Sequence, residues 1–92
     1  MSNIVAKHKN FQLEHLPGIG YRVWHSGSFK GDIFVEADYK DKRNPNPEEL
    51  KYSVFITVPS AMIFDAREAK KMAENIVEAQ EAAEVFERFL NG

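Results

Sequence analysis

The C-terminal third of the chain, residues 65–90, has the periodicity of one long amphipathic helix. At about 100° per residue, its apolar side chains fall on one stripe. That stripe contains Ala69, Met72, Ile76, Ala79, Ala83, Phe86 and Leu90. Asp65 followed by Glu68 is typical of a helix start, and Asn91-Gly92 is typical of a helix end. Because a helix with one apolar face must bury it against another element, the preceding residues must supply that element.

The residues before this helix alternate apolar and polar side chains, which predicts strands. We place them at residues 11–15, 21–25, 32–39 and 51–58, with an exposed loop over residues 40–50 that contains Pro45 and Pro47. Residues 1–9 are expected to form a loose arm or a covering strand. Because short turns join antiparallel strands, we predict an α+β fold. Residues 1–92 then form a single domain, an antiparallel β-meander of three to four strands with one long C-terminal helix packed on one face.

The amino-acid composition excludes several classes of site. The chain has 92 residues, no cysteine and a formal net charge of −2, so neither a disulfide nor a thiolate metal site is available. His8, His15 and His25 are widely spaced on different faces, and no catalytic motif stands out. No apolar run reaches the length of a membrane span, and no signal peptide is recognisable. We therefore expect a cytoplasmic, non-enzymatic protein without cofactor or metal.

The sheet face turned away from the helix is the first candidate for function. The alternation places Trp24, Phe34 and Phe55 on that face, where neighbouring strands bring them together. Grouped exposed aromatic side chains often mark a binding surface, so we expect Trp24 and Phe34 to act as anchors. Positively charged rim contacts are expected from Arg22, Lys42 and Arg43. The alternative is that the N-terminal arm folds across and buries this face with Ile4, Val5 or Phe11.

The predicted helix has an acidic row on its outer side. The row consists of Glu74, Glu78, Glu81, Glu84 and Glu87. Such a row is usually a solvated face, and less often it imitates a phosphate backbone for a basic partner. We nominate Glu78 and Glu81 for that second role. Val85 and Phe89 lie off the core stripe and offer a weak homodimer contact.

One short motif points to DNA. Residues 16–20, Leu-Pro-Gly-Ile-Gly, resemble the hairpin of the helix–hairpin–helix family, whose backbone amides bind DNA phosphates. That family needs a helix directly after the second glycine, whereas residues 21–25 favour a strand, so an ordinary turn is the alternative. Residues 64–69 are also similar to the helix start in small DNA-binding domains of phage integrases. That resemblance implies a basic sheet face, while this face carries Asp32, Glu36 and Asp38.

As a general type, the chain resembles small phage-encoded inhibitors of host machinery, anti-CRISPR proteins among them. The likeness lies in its size, its lack of cysteine, its meander-plus-helix plan and its lack of catalytic groups. It implies a protein-binding module that blocks a nucleic-acid-binding or subunit surface of a host complex such as a CRISPR effector. One alternative is a small nucleic-acid-binding accessory domain that uses the basic hairpin and the loop at residues 40–43. Another is a homodimeric structural protein that packs through Val85 and Phe89.

Overall fold

The computed structural model describes residues 3–25, 29, 31–39, 41, 43, 44, 46, 49–58 and 65–92. Within these residues the chain forms five strands and one helix. They are β1 (Asn3–His8), β2 (Phe11–Leu16), β3 (Gly20–His25), β4 (Asp32–Tyr39), β5 (Leu50–Thr57) and α1 (Ala66–Asn91). The predicted α+β fold is therefore confirmed. Of the two expectations for residues 1–9, a loose arm or a covering strand, Asn3–His8 forms a strand, which pairs with β2 at the edge of the sheet.

The strands form two antiparallel sheets. One sheet has the order β1-β2-β3 and the other is the hairpin β4-β5. Within the described strands no backbone hydrogen bond joins β3 to β4. The predicted meander is consequently divided into a three-stranded and a two-stranded part, with the helix packed against both.

The turn between β2 and β3 is built by Pro17 and Gly18. The N–H of Ile19 donates to the carbonyl of Leu16 at 2.9 Å, and Gly18 has a φ of 78°. Proline followed by a glycine with positive φ is typical of a type II turn. A strand follows this turn, so the helix that a DNA-binding helix–hairpin–helix requires is absent from Gly20–His25.

Helix α1 begins and ends where the sequence predicts. The Asp65 side chain accepts the N–H of Glu68 at 2.8 Å, and Gly92 at the C-terminal end donates its N–H to the carbonyl of Arg88. Three positions differ from the predicted stripe, and one of them is Ala82, which lies off the stripe but is fully buried in the core. Ala69 is exposed, as are all of residues 66–71; burial begins at Met72 and contact with the core at Ile76. Val85 packs against the core instead of lying outside it, whereas Phe89 is exposed as predicted.

The core lies between the helix and the inner faces of both sheets. Its fully or nearly buried apolar residues are Phe11, Leu13, Val23, Phe29, Ile33, Ala79, Ala82 and Phe86. The alanines lack long side chains, so the helix backbone can approach the sheets closely. No helix in the described part of the chain is both long and apolar enough to cross a bilayer.

Polar contacts tie the helix to each sheet separately. At the first sheet, Glu81 accepts a hydrogen bond from Lys9 Nζ at 3.0 Å. At the second, the Asn91 side chain bonds both the N–H and the C=O of Tyr52, each at 2.9 Å. Glu87 Oε2 accepts the N–H of Val54 at 3.1 Å. These contacts occupy part of the outer edge of β5, which would otherwise present unpaired backbone groups.

Candidate partner-binding surface

An aromatic pair lies on the outer face of the β4-β5 hairpin. Phe34 and Phe55 are directly opposite each other in the antiparallel register. Both side chains are 49% exposed. Directly opposite side chains on one sheet face have Cβ atoms only about 5 Å apart, so the two rings form one apolar patch. The sequence placed these two residues on this face together, and the structure does the same.

The N-terminal strand does not cover this face. Phe11 is buried on the helix side, and Val5 sits at a bulge in the pairing of β1 with β2. Trp24 on the first sheet stays 46% exposed. The alternative in which Ile4, Val5 or Phe11 buries the outer aromatic residues is therefore wrong.

The outer face of the first sheet is organised by Glu14, which is buried although it carries a charge. Its Oε1 accepts hydrogen bonds from Trp24 Nε1 at 2.8 Å and from Arg22 Nη2 at 3.0 Å. The Arg22 guanidinium also lies 3.9 Å from the centre of the Trp24 ring, a cation–π contact. One carboxylate thus holds both neighbouring side chains in a fixed arrangement.

The hydrogen bond from Trp24 is the main cause that lowers the pKa of Glu14 below its ordinary value, and Arg22 adds to the effect. Burial acts in the opposite direction, because it disfavours the charged form. Glu14 is accordingly held as a carboxylate at neutral pH.

Sequence reasoning missed Glu14, although the sequence contains a signal for it. The turn at residues 17–19 sets Leu16 opposite Gly20, and the same register sets Glu14 opposite Arg22. Opposite charges that face each other across a hairpin predict a cross-strand pair. The register also explains why Trp24 leans toward β2, since the indole N–H must reach Glu14.

A groove of about 330 Å³ separates the two sheets. It is lined from the first sheet by Leu16, Tyr21, Arg22, Val23 and His25, and from the second by Asp32, Ile33 and Phe34. Arg22 and Phe34 therefore border one depression. A second hollow of about 240 Å³ lies beside Trp24, next to Asn10, Gln12 and His25.

The remaining nominated residues lie elsewhere. Arg43 is exposed in the loop after β4, and its N–H donates to Asp41 Oδ1 at 2.9 Å. Lys42 lies outside the described residues. Glu78 and Glu81 are on the helix, which packs against the inner faces of the sheets, so they lie across the molecule from Phe34. One flat partner surface cannot contact both groups.

Glu81 already has partners within the chain. Besides Lys9, it lies 3.5 Å from His8 Nε2. The hydrogen bond from Lys9 is the largest cause that lowers the pKa of Glu81. Among the described residues, no group of three or more His, Asp or Glu side chains is arranged to hold a metal ion.

Comparison of this chain with protein-family models, with curated proteins and with solved structures found no match in any of the three.

Proposed function

We propose that this protein is a non-enzymatic protein-binding module that docks a partner on the outer face of its two sheets. The observation that supports this is the Phe34–Phe55 pair, two large apolar side chains half exposed side by side. Isolated exposed apolar side chains are common, whereas an aromatic patch on a sheet face is typical of a docking surface. In this proposal Phe34 and Phe55 are the centre of the interface.

Arg22 and Trp24 form the border of the proposed interface on the first sheet. Both are exposed, yet both are immobilised by Glu14. Side chains that are ordered before binding lose less conformational entropy when the partner arrives. The Glu14 network therefore supports binding indirectly, by holding the border in a shape ready for contact.

Protein is a better partner than nucleic acid for this face. Asp32 and Glu36 lie on either side of Phe34 on the same strand face, and both are exposed. A phosphate backbone would meet these carboxylates directly and be repelled. The basic residue Arg43 lies in the loop after β4, a strand that ends at Tyr39, five residues or roughly 17 Å along the strand from Phe34.

Binding through this face would allow the protein to act as an inhibitor. A module without catalytic groups acts on a larger complex by occupying one of its surfaces. Inhibition by steric blocking of a nucleic-acid-binding or subunit surface, as in anti-CRISPR proteins, is the form that the general resemblance favours. In a reconstituted CRISPR effector cleavage assay, the wild-type protein should then lower cleavage and the double variant Phe34→Ser/Phe55→Ser should not.

The binding proposal is tested by partner capture with matched baits. The chain offers a control, because Phe89 on the helix is 51% exposed and lies away from the sheet faces. Immobilised wild-type protein and Phe89→Ser should retain the same partner from a lysate of the native host, and Phe34→Ser/Phe55→Ser should not. Retention of that partner by the double variant would contradict the proposal. Loss with Phe89→Ser alone would instead favour a contact through the helix.

A further inference from the structure

The outer face of the β4-β5 hairpin combines an aromatic centre with acidic neighbours. Along β4 the outward side chains are Asp32, Phe34, Glu36 and Asp38, all exposed. Residues two apart on a strand lie about 7 Å apart on the same face, so carboxylates stand on both sides of the Phe34 ring. This places negative charge around an apolar patch.

The hairpin strands place no cation opposite Asp32 or Glu36. Asp32 is opposite Thr57, and Glu36 is opposite Ser53. Lys51, opposite Asp38, is the cation on the outward row of β5. Within the described residues, no hydrogen bond or ion pair is formed by the side chain of Asp32 or Glu36.

The first sheet shows how the same elements are arranged when a cation is present. There a carboxylate, Glu14, and an aromatic ring, Trp24, share the guanidinium of Arg22. On the second sheet the carboxylates and the aromatic rings are present, and the described residues supply no guanidinium between them. A planar guanidinium suits both contacts at once, since it stacks on a ring and donates to a carboxylate in its own plane.

We propose that the partner presents a basic protein surface to the β4-β5 hairpin, with an arginine side chain stacked on Phe34 or Phe55 and bonded to Asp32 or Glu36. This rests on the proposed function, since it names the chemistry of the partner for the same face. On the helix, Glu81 is bound by Lys9 and Glu87 by the backbone of β5, whereas Asp32 and Glu36 on β4 are exposed beside the aromatic pair. Two copies docked through this hairpin alone would bring their acidic rows together.

The test uses three blocked hexapeptides that alternate alanine with arginine, glutamine or glutamate. Each is titrated into the ¹⁵N-labelled protein, and backbone amide shifts are followed. The arginine peptide should shift the amides around Phe34 and Phe55, and the glutamate peptide should not. Each carboxylate removed by Asp32→Asn or Glu36→Gln should weaken arginine-peptide binding roughly two- to fivefold. The control Glu74→Gln/Glu84→Gln removes two charges from exposed helix positions, as the double variant Asp32→Asn/Glu36→Gln does from β4, and should leave binding unchanged.

The outcomes separate this inference from the proposed function. Equal binding of all three peptides at Phe34 and Phe55, or binding that ignores Asp32→Asn/Glu36→Gln, overturns the basic partner but keeps the surface. The inference is also overturned if a short DNA duplex shifts the same amides, or if light scattering shows a dimer that Phe34→Ser/Phe55→Ser abolishes. If none of the peptides shifts these amides the inference fails, while partner capture by the wild-type bait still tests the proposed function.

Discussion

The outer faces of the two sheets are similar in composition but differ in how their charged and aromatic side chains contact one another. On the first sheet, Glu14, Arg22 and Trp24 satisfy one another. On the second, Phe34 and Phe55 stand half exposed beside carboxylates that have no cation opposite them. Both faces contain acid and aromatic side chains, and the first alone has its own arginine. On the first face the charged groups are therefore paired within the chain, whereas on the second, the open face, Asp32 and Glu36 form no ion pair among the described residues.

The inner faces of the two sheets also differ, in how deeply their apolar side chains are buried. The first sheet buries Phe11 and Leu13 almost completely under the helix. From the second, Ile33 is buried, while Val35 and Val54 are partly buried against the same core. More apolar side chains of the first sheet are therefore fully buried, although the helix packs more extensively along β5 than along β1 or β2.

The largest expected effect concerns stability. Leu13→Ala removes a fully buried side chain and should lower the free energy of unfolding by about 2–5 kcal/mol. Val54→Ala removes partly buried groups from the second sheet and should cost about 1 kcal/mol. Urea unfolding of both variants measures the difference. Equal losses would show that the two sheets share the packing evenly.

A second prediction concerns pH. Because the folded state lowers the pKa of Glu14 below 4.5, its stabilisation is present above the unfolded pKa and is lost as pH falls through the folded pKa. Glu14→Gln should therefore lower the urea midpoint at pH 7 and reduce the further loss on acidification to pH 3. Trp24→Phe, which removes the N–H donor, should produce part of the same change. Gln12→Ala is the control, and its urea midpoint should change with pH as that of the wild type does. If the urea midpoint of Glu14→Gln showed the same pH dependence as that of the wild type, the stabilising role of Glu14 would be contradicted.

A third, smaller effect concerns the edge of β5. Asn91→Ala leaves the N–H and C=O of Tyr52 to water and should lower stability by about 1 kcal/mol or less, since the site is exposed. The freed edge should also pair more readily with another chain, so concentration-dependent light scattering should rise. Gln80→Ala, at an exposed helix position, should change neither quantity.

The smallest expected effect on stability belongs to the open face. Asp32→Asn changes an exposed side chain and should alter the free energy of unfolding by no more than about 0.5 kcal/mol. Phe34→Ser also removes the cross-strand contact with Phe55 and should cost about 1 kcal/mol or less. Thermal unfolding followed by circular dichroism is sufficient to measure this. A loss as large as that of Leu13→Ala would mean that Phe34 is part of the structural core.

Much of the fold follows from local patterns. The helix bounds could be predicted because Asp65 and Gly92 act through contacts within one turn. Ala69 could not be placed correctly, because periodicity gives the face of a helix but not how far the covering strands extend along it. The division between β3 and β4 depends on how two hairpins pack on one helix, and alternation within each strand carries no information about that.

The candidate site could also be predicted from the sequence only in part. Alternation placed Phe34 and Phe55 outward, and cross-strand pairing does bring them together. The sequence-based expectation that Trp24 lies beside Phe34 and Phe55 did not take account of its indole N–H. This group donates a hydrogen bond to Glu14 on the neighbouring strand β2. The roles of these residues in binding, and those of Lys42, Arg43, Glu78 and Glu81, stay predictions.

The most direct test of the account is calorimetric titration of the purified partner into three proteins: wild type, Phe34→Ser/Phe55→Ser and Glu14→Gln. The double variant should remain folded, with a smaller loss of stability than Leu13→Ala, and bind at least about tenfold more weakly, as expected for central residues of an interface. Glu14→Gln should lose stability yet bind within about threefold of wild type under conditions where it is folded, because it alters only the border. The opposite pattern, with binding lost in Glu14→Gln and retained in the double variant, would contradict the assignment of the open face to the β4-β5 hairpin.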